Sequence, residues 1–411
     1  MAIKVIPEIQ STQTMGTEEA EAERSCDPYV PGQAARSLRI LIVATEAPPV
    51  RGGIARIVGY LQEGFQQHGH HVDVLAYPEV KRLVFGQIRL SSLIFRLPRL
   101  LHRINEYDVI HVHGTTPTIS DVMLLFLRIV CQRHRHPLVV YTHYADLDFG
   151  PVEILNKVYN CLHHWLSSHA DAIVAATPDI LELVGKNERG FVVPLGIDLK
   201  HFAIQGQKES GFTALFVGQF RPYKGVPILM RAMAQVPGAR LLLAGQGPEE
   251  QVYRSLAAEL DIDIEFHVGV SDAQLRQLYQ RAHAVVLPSV SRLEAFGLVL
   301  VEGMAAGCIP IATDLPGVCK VVGQSGFLFP QGDANRLASI LRKLRDDSAL
   351  VQQMGERARI RSTEFDKDRT VREYENIIEN LFAELAAPQT SRQKIKSLSL
   401  QGKQTVGAGR P

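Results

Sequence analysis

Two glutamates, Glu294 and Glu302, stand with seven residues between them, just after an apolar run that ends in Pro-Ser. If a helix begins near Phe296 or Gly297, Glu294 lies in the loop before it and Glu302 lies about one and a half turns inside it. The backbone amides of Gly297 and Leu298 can then bind a phosphate at the positive end of that helix. Carboxylates beside such a site suit sugar and ribose hydroxyls, because ionised acceptors form strong hydrogen bonds. Outside that context, the same spacing is also compatible with ordinary surface charge on a helix.

A basic loop carries the next candidates, Arg221 and Lys224. They follow the apolar run FTALFVG and precede an amphipathic helical pattern, VPILMRAM. The charges of basic side chains in such a loop could neutralise a pyrophosphate group. The simpler interpretation is a solvated basic surface in front of a helix.

The first half of the chain offers a pair of glycines and several histidines. Gly52 and Gly53 open a helical pattern after the run LRILIVATE, and glycine lets the backbone approach a ligand closely. His143 ends the run LVVYTH, where a side chain at the carboxyl end of a strand would face a cleft, although the backbone could also satisfy it. Side-chain alternation predicts that only one of His111 and His113 faces the cleft, and His113 is nearer the strand end.

Short apolar runs alternate with helical patterns in both halves of the chain, which predicts two successive β/α units. Continuous apolar runs are typical of parallel strands buried on both faces. Ligands of such sheets bind beyond the carboxyl ends of the strands, so two opposed sheets would form a site at their interface. The predicted strands are LRILIVATE, HVDVLAY, DVIHVH, LVVYTH, DAIVAAT and FVVPLG, then FTALFVG, ARLLLAG, DIEFHVG, HAVVLPS, CIPIATD and GFLFP.

The length of 411 residues favours two domains, because one core rarely organises so long a chain. Polar, patternless ends predict disordered tails, and a polar stretch between the two series of strands predicts an exposed linker. The expected boundaries are a tail at 1–36, a first domain at 37–197, a linker at 198–211, a second domain at 212–367, a helix at 368–386 that crosses back to the first domain, and a tail at 387–411.

Composition excludes several functional classes. Forty-four basic against 43 acidic residues give a net charge of +1, so no global field attracts nucleic acid. Five scattered cysteines form no CxxC pair, which argues against a zinc site or a disulfide framework and favours a reducing, cytoplasmic setting. The N-terminus lacks a signal-peptide pattern, and the most apolar stretch, VMLLFLRIV, is shorter than the roughly 20 residues of a membrane-spanning helix. Dinucleotide and P-loop glycine motifs are missing, which removes support for NAD and ATP chemistry.

The segment around the two glutamates resembles the retaining glycosyltransferases of family 4. The resemblance covers about residues 38–385, and it includes the basic loop, the Gly-Gly pair and His143. It departs from the family at Gln219, where an arginine is usual, and Arg221 is the expected substitute. The matching residues are Pro288, Ser289, Glu294, Phe296, Gly297, Glu302 and the Ala-Ala-Gly of 305–307.

The resemblance implies an α/β architecture of the GT-B type, with two facing Rossmann-like domains and a cleft between them. A nucleotide-diphosphate sugar would bind to the second domain and the acceptor to the first. The implied catalytic residues are His143, Lys224 and Glu294. The implied substrate-binding residues are Gly52, Gly53, Arg221, Lys224, Gly247, Val270, Phe296, Gly297, Leu298 and Glu302. No cofactor or metal is expected, since basic side chains and a helix end replace a divalent ion; Asp146 and Asp148 are weaker candidates for contact with the acceptor.

The expected acceptor is a glycan, a lipid-linked sugar or a small molecule. Residues 80–105 are basic and apolar, so they would form either a peripheral contact with an anionic membrane or a solvated surface over the core. A nucleotide-sugar epimerase of similar fold and an inactive sugar-nucleotide-binding protein remain alternative functions. Gln219 is the residue that favours the inactive protein.

Overall fold

Two six-stranded sheets, in which every strand is parallel to its neighbours, form the framework of the chain. The computed structural model describes residues 36–50, 52–77, 82–85, 88–91, 93, 97–114, 119–131, 137–146, 153–184, 189–203, 206, 208–292 and 294–386. Every element named below belongs to one compact unit, Ser37–Pro411. The predicted tails at 1–36 and 387–411 lie outside the described residues, apart from Arg36, and so does Asp148.

The first sheet has the strand order β2-β1-β5-β6-β7-β8, and a separate antiparallel hairpin pairs β3 with β4. Its six strands correspond to the six predicted apolar runs, whereas the hairpin was not predicted. The strands are β1 Arg39–Glu46, β2 His71–Tyr77, β3 Arg82–Phe85, β4 Ile88–Ser91, β5 Val109–His113, β6 Leu138–His143, β7 Ala172–Ala175 and β8 Gly190–Val192. The helices of this half are α1 Gly53–Gln67, α2 Leu97–Arg103, α3 Ser120–Val130, α4 Glu153–Ser167, α5 Pro178–Leu183 and α6 Leu199–Phe202, with a 3-10 turn at Ile104–Glu106.

The second sheet has the order β11-β10-β9-β12-β13-β14, which is the Rossmann order 3-2-1-4-5-6. Its strands are β9 Thr213–Val217, β10 Arg240–Gly245, β11 Ile264–Val268, β12 Ala284–Leu287, β13 Ile309–Thr313 and β14 Phe327–Phe329. The helices are α7 Val226–Met233, α8 Glu250–Leu260, α9 Asp272–Arg281, α10 Leu298–Ala305, α11 Val318–Val322, α12 Ala334–Asp346, α13 Ser348–Ser362 and α14 Lys367–Ala386, with 3-10 turns at Pro222–Lys224 and Thr363–Phe365.

The central strands are buried along their whole length, which explains their unbroken apolar sequences. Every residue of β5, β6, β12 and β13 is buried. Helices cover both faces of each sheet, so side chains on both sides of a strand are removed from water. This burial leaves the loops at the carboxyl ends of the strands as the places where polar groups can collect.

Helix α14 packs against α1 and β6 in the first half of the chain. The hydroxyl groups of Tyr374 and Thr142 are hydrogen-bonded at 2.8 Å. Gly64 of α1 lies so close to Val371 that a Cβ at Gly64 would be 2.5 Å from the valine Cγ2. The last helix therefore ties the end of the second half to the first sheet.

Two segments differ in detail from expectation. Within the predicted linker, α6 forms and Phe202 is buried against the ring of Tyr279, so that part of the connection is packed. The described part of the basic segment 80–105 contains the β3–β4 hairpin and the short helix α2, which were not predicted as separate elements. No helix among the described residues is long and apolar enough to cross a membrane.

Candidate functional site

The strand order of the second sheet brings Lys224 and Glu294 together. Strands β9 and β12 are neighbours, and the chain leaves them in opposite directions at the switch point of the sheet. The loop after β9 carries Lys224 and the loop after β12 carries Glu294, and the lysine Nζ donates a hydrogen bond to the Glu294 carboxylate. Ser289, two residues after β12, also donates a hydrogen bond to Glu294, at 3.2 Å. Two candidates that are 70 residues apart in sequence thus form one cluster.

The Lys224 ammonium is held in its charged form by this contact. Burial alone would lower the pKa of Lys224, but the charge of Glu294, the nearby Tyr223 and the hydrogen bond to Glu294 together raise the pKa above its ordinary value. Both side chains are mostly buried. The loop therefore keeps a positive charge with little solvent around it, which strengthens its attraction for an anion.

Two glycines build this corner of the sheet. Gly297 caps α10 with a φ of 79°, and a Cβ there would lie 2.8 Å from Leu287 Cδ2. Gly225 has a φ of 66°, and a Cβ there would lie 1.9 Å from the carbonyl oxygen of Pro288. Both positions need glycine for its backbone conformation and for space. Helix α10 begins at Leu298, so its first backbone amides have no partner within the helix. They point toward the loop that carries Glu294.

Glu302 lies inside α10 and is buried, with 1% of its side chain exposed. Its carboxylate accepts a hydrogen bond from Tyr279 Oη at 2.8 Å and forms an ion pair with Arg56. Arg56 belongs to α1 in the first half of the chain, so the ion pair joins the two halves. The sequence alone predicted neither Tyr279 nor Arg56 as a partner of Glu302.

The predicted glycine loop of the first half approaches the same helix. A Cβ at Gly53 would lie 3.7 Å from Leu298 Cδ1, at the first residue of α10. A Cβ at Gly52 would lie 2.7 Å from the Glu46 carboxylate at the end of β1. The structure thus brings Gly53, Leu298 and the Arg56–Glu302 pair to one place between the two sheets.

The loops that carry the predicted substrate-binding residues Gly247 and Val270 lie side by side after β10 and β11. Gly247 approaches the backbone so closely that its Cβ would be 2.4 Å from the Phe220 carbonyl oxygen. A Cβ at Gly269, next to Val270, would lie 3.7 Å from Gln246 Oε1. Val270 packs partly against the core. The two loops therefore lie next to each other at the carboxyl ends of neighbouring strands.

Arg221 and Phe296 are placed less favourably for direct contact through their side chains. Arg221 is exposed, and its carbonyl accepts a hydrogen bond from Tyr253 at 3.2 Å. The Phe296 ring is buried edge to face against Phe365, with ring centroids 5.7 Å apart. Phe296 would thus contribute to a site mainly through packing and backbone.

His143 lies at the carboxyl end of β6 within a hydrogen-bonded cluster. Its Nδ1 is 3.1 Å from the Tyr141 hydroxyl and its Nε2 is 3.4 Å from Asp146 Oδ1. Asp146 also bonds to His164 Nε2 on α4 at 2.7 Å. Burial lowers the pKa of His143 despite the opposing hydrogen bond to Asp146. Burial would raise the pKa of Asp146, but hydrogen bonds to His143 and His164 outweigh it and hold that pKa below its usual range.

The cluster continues beneath His143. His163 Nε2 is 2.6 Å from the Tyr141 hydroxyl, and its Nδ1 is 2.5 Å from Asp121 Oδ1. The ligand atoms of His143, Asp146 and His164 lie within 4.8 Å of one another, a spacing that a divalent ion could bridge. The prediction that no metal is required stays a prediction. None of the described contacts joins His143 to Lys224 or Glu294, so the first sheet contributes a separate half of the site.

The expectation that His111 and His113 face different ways is wrong. Side chains two residues apart on a strand project to the same face, and the two ring centroids are 4.0 Å apart. Both rings are buried: His111 bonds to Thr142 Oγ1 and His113 bonds to the Tyr144 hydroxyl, each at 2.7 Å. Burial lowers the pKa of His113 to about 3. Both histidines are therefore neutral parts of the core in this conformation.

Comparison with known proteins places this geometry in a family. Residues 51–201 match the family model described as Glycosyltransferase Family 4, and residues 197–361 match the one described as Glycosyl transferases group 1. The border between the two matches falls where the chain passes from the first sheet to the second. The fold and the family agree with the resemblance carried by the two glutamates.

Two relatives are mannosyltransferases. A phosphatidyl-myo-inositol mannosyltransferase from Mycolicibacterium smegmatis is 27% identical over 342 residues, which cover 76% of this chain and 86% of the relative. A GDP-mannose:cellobiosyl-diphosphopolyprenol alpha-mannosyltransferase from Xanthomonas oryzae pv. oryzae is 31% identical over 250 residues, which cover 58% of this chain and 64% of the relative.

Solved structures share the architecture. Sucrose-phosphate synthase from Thermosynechococcus elongatus has a TM-score of 0.69 at 22% identity, covering 85% of this chain and 100% of that chain. This likeness confirms the predicted GT-B fold, with the two sheets arranged as in a glycosyltransferase. The two family matches together run from residue 51 to residue 361, and the chain belongs to the group 1 and family 4 glycosyltransferases of GT-B fold.

Proposed function

We propose that this glycosyltransferase moves a mannosyl group from GDP-mannose to a lipid-linked acceptor, with retention of the anomeric configuration. The observation that carries the proposal is the Lys224–Glu294 pair at the switch point of the second sheet, next to the amino end of α10. A cation and free backbone amides at one spot suit a diphosphate, and a carboxylate beside them suits the hydroxyls of the attached sugar.

In the proposed reaction, Lys224 and the amides of Leu298 stabilise the leaving diphosphate. The bond between the anomeric carbon and the phosphate oxygen breaks, and the acceptor hydroxyl forms a new bond to that carbon on the same face. The acceptor proton passes to the leaving phosphate oxygen, which would account for the lack of a dedicated nucleophile. In this scheme the lysine and the helix end do the work of a divalent ion, so no metal is required.

Glu302 is the proposed partner of the ribose hydroxyls, and Gly53 is the proposed point where the first domain meets the donor. Arg56 already neutralises Glu302, so the ribose would share the carboxylate with it. The backbone loops at Gly247 and Val270 would surround the base. This division supports a donor held by the second domain and covered by the first.

The acceptor side is assigned to the cluster around His143. Asp146 and His164 are partly exposed, whereas His143 is buried behind them. We propose that Asp146 and His164 bind acceptor hydroxyls, and that neutral His143 orients Asp146 and reaches the transferred sugar when the site closes. The names of the two mannosyltransferase relatives support a lipid-linked acceptor and, for one of them, GDP-mannose as donor.

A transfer assay with product analysis tests this function. The protein is incubated with GDP-mannose and, in parallel, with other nucleotide sugars, each with and without polyprenyl-diphosphate-linked or phosphatidylinositol acceptors. We expect GDP release and a lipid-linked product only when GDP-mannose and an acceptor are both present, and anomeric NMR should show an α linkage. The Glu302→Ala variant should lose the thermal stabilisation that the donor gives the wild type.

Each alternative gives a distinct result. An inverted product would contradict retention, and transfer from another nucleotide sugar alone would contradict the choice of donor. An altered sugar formed without acceptor would favour an epimerase, and donor binding without release of the nucleotide would favour an inactive binding protein. An unchanged thermal shift in Glu302→Ala would contradict the ribose assignment.

A further inference from the structure

Helix α4 buries its polar side and exposes an apolar one. Its inward side carries Tyr159 and His163, both bonded to Asp121, and Ser167 is buried with them. Its outward side is apolar, with Ile154, Leu155, Val158, Leu162 and Trp165 all exposed. A surface helix normally buries its apolar stripe and exposes its polar one. The reversed order therefore requires a reason outside the core of this chain.

The apolar residues form one continuous stripe. At 100° per residue, the five outward residues fall within an arc of roughly 100° on the helix surface. The neighbouring helix α3 packs against α4 and adds two further exposed apolar side chains. We call these seven residues the outer face; between 44% and 77% of each is exposed, and they are Leu125, Ile129, Ile154, Leu155, Val158, Leu162 and Trp165.

Basic groups accompany this outer face. The Arg128 guanidinium of α3 lies 3.8 Å from the centre of the Trp165 ring, and Lys157 is exposed on α4. Asp121, the acidic residue of α3, is buried and bonded to His163. A crevice of about 270 Å³ opens beside Arg128 between the two helices, with Leu124, Leu127 and Leu166 among its walls and with His169 and Asp171 also lining it. The face thus combines apolar side chains, a tryptophan and cations.

We propose that the outer face of α3 and α4 docks on an anionic phospholipid bilayer. An amphipathic helix with tryptophan and basic side chains lies in the plane of a membrane interface, with its apolar side in the acyl boundary. Arg128 and Lys157 are complementary to anionic headgroups. A two-fold dimer through the same face would place the cations of both copies in one interface, without an anionic partner for them on this face. The proposal rests on the proposed lipid-linked acceptor, and it assigns a surface different from segment 80–105.

The location of the outer face fits its proposed role. The same helix presents His164 to Asp146 on its inner side, in the cluster assigned to the acceptor. One helix diameter, about 10 Å, would therefore separate the bilayer surface from that cluster. A lipid-anchored sugar would need to leave the headgroup region by only about that distance to reach Asp146.

Trp165 gives a direct assay because it is the one tryptophan of the chain. The wild-type protein is mixed with vesicles of phosphatidylcholine alone or with phosphatidylglycerol, and with vesicles that carry brominated acyl chains. We expect a blue shift of tryptophan emission, quenching by the bromolipid and co-flotation with the anionic vesicles. High salt should weaken binding without abolishing it, because the apolar contribution remains.

Substitutions on the same face provide the second measurement. The Val158→Glu/Leu162→Glu variant should bind the vesicles at least about tenfold more weakly, since each aliphatic side chain removed from the interface costs about a factor of ten. The matched control is Val252→Glu/Ile360→Glu, which changes two exposed apolar residues of α8 and α13. The control should bind as the wild type does, and thermal melting of each variant checks that it is folded.

Several results would overturn the docking surface. The first is that no vesicle quenches the tryptophan emission, and the second is that the matched control loses vesicle binding to the same extent. The third is that the wild type binds no vesicle but forms a dimer, and that Val158→Glu/Leu162→Glu dissociates this dimer. That third result would assign the face to a second copy. Failure of the proposed function is separate: vesicles without acceptor still test docking. Quenching without sugar transfer would support the docking surface and contradict the proposed acceptor. Transfer to a short-chain acceptor without quenching would support the proposed function and contradict the docking surface.

Discussion

The Arg56–Glu302 ion pair offers the sharpest test of how the two halves of the chain are joined. Glu302 is 1% exposed and Arg56 is 32% exposed, so the glutamate carboxylate depends on the ion pair more than the guanidinium does. Replacing Arg56 leaves a buried carboxylate with Tyr279 as its remaining described partner. Replacing Glu302 leaves a guanidinium that water can still reach. The arginine substitution should therefore destabilise the protein more than the glutamate substitution.

The magnitude follows from the burial of the carboxylate. Removing one partner of a buried pair costs about 3 to 5 kcal/mol, and the Tyr279 hydrogen bond reduces the cost of Arg56→Met to about 2 to 3 kcal/mol. For roughly 350 folded residues, an entropy of about 2.1 cal/mol/K per residue converts this into a fall in Tm of about 3 to 4 °C. Glu302→Gln keeps a group that can bond to Tyr279, and it should cost about 1 kcal/mol.

The double variant separates this reasoning from general damage. Glu302→Gln removes the buried charge that Arg56→Met leaves unpaired, so the double variant should be more stable than Arg56→Met alone. Thermal melting and urea denaturation of the four proteins give the coupling free energy, expected at about 1 to 2 kcal/mol. If the two losses simply add, or if Arg56→Met costs less than Glu302→Gln, the buried ion pair does not hold the two halves together as described.

Two further predictions concern chemistry and pH. Lys224→Met should lower kcat by about 10² to 10³, with a smaller change in KM, because in the proposed reaction the lysine charge acts mainly on the leaving diphosphate. Steady-state kinetics of this variant beside Lys224→Arg check the prediction. A change in KM alone would assign Lys224 to ground-state binding. His113 has its folded pKa lowered to about 3 and an unfolded pKa of about 6.5, so the unfolded state binds the extra proton between these values and stability falls as the pH decreases through that window. Urea denaturation of the wild type and of His113→Asn at pH 7.5, 6 and 5 gives the free energy of unfolding of each. As the pH decreases, the wild type should lose up to about 1.4 kcal/mol of this free energy per pH unit more than the variant. Equal losses in the two proteins would contradict the prediction.

The strands of both sheets could be predicted from the sequence because parallel strands buried on two faces leave an unambiguous pattern. The run LVVYTH, for example, is buried at every position of β6. The β3–β4 hairpin was missed because its short runs lie in a basic stretch with no clear period. Local patterns thus identify elements whose burial is complete and fail where an element is small and at the edge.

Long-range contacts were beyond the reach of local patterns. Lys224 and Glu294 were predicted as parts of one site because of the family resemblance, and the adjacency of β9 and β12 supplies the physical reason. Arg56 and Glu302 are 246 positions apart and carry no mutual signal in one sequence. The packing of α1 against the second half decides that contact, and tertiary packing of this kind leaves no trace in periodicity.

Helix α4 is another element for which the local sequence pattern was not enough. Its periodicity predicts two faces, but the direction that each face takes depends on what lies beneath the helix. Here β6 and the loop after it present Tyr141 and Asp146, and two polar side chains of α4, His163 and His164, form hydrogen bonds with them. Burial of the leucines instead would leave those polar groups without partners, at a cost that apolar burial would not offset. The polar cluster around His143 therefore determines which side of α4 faces outward. The apolar surface that we propose to meet the membrane is a consequence of these polar contacts on the inner side.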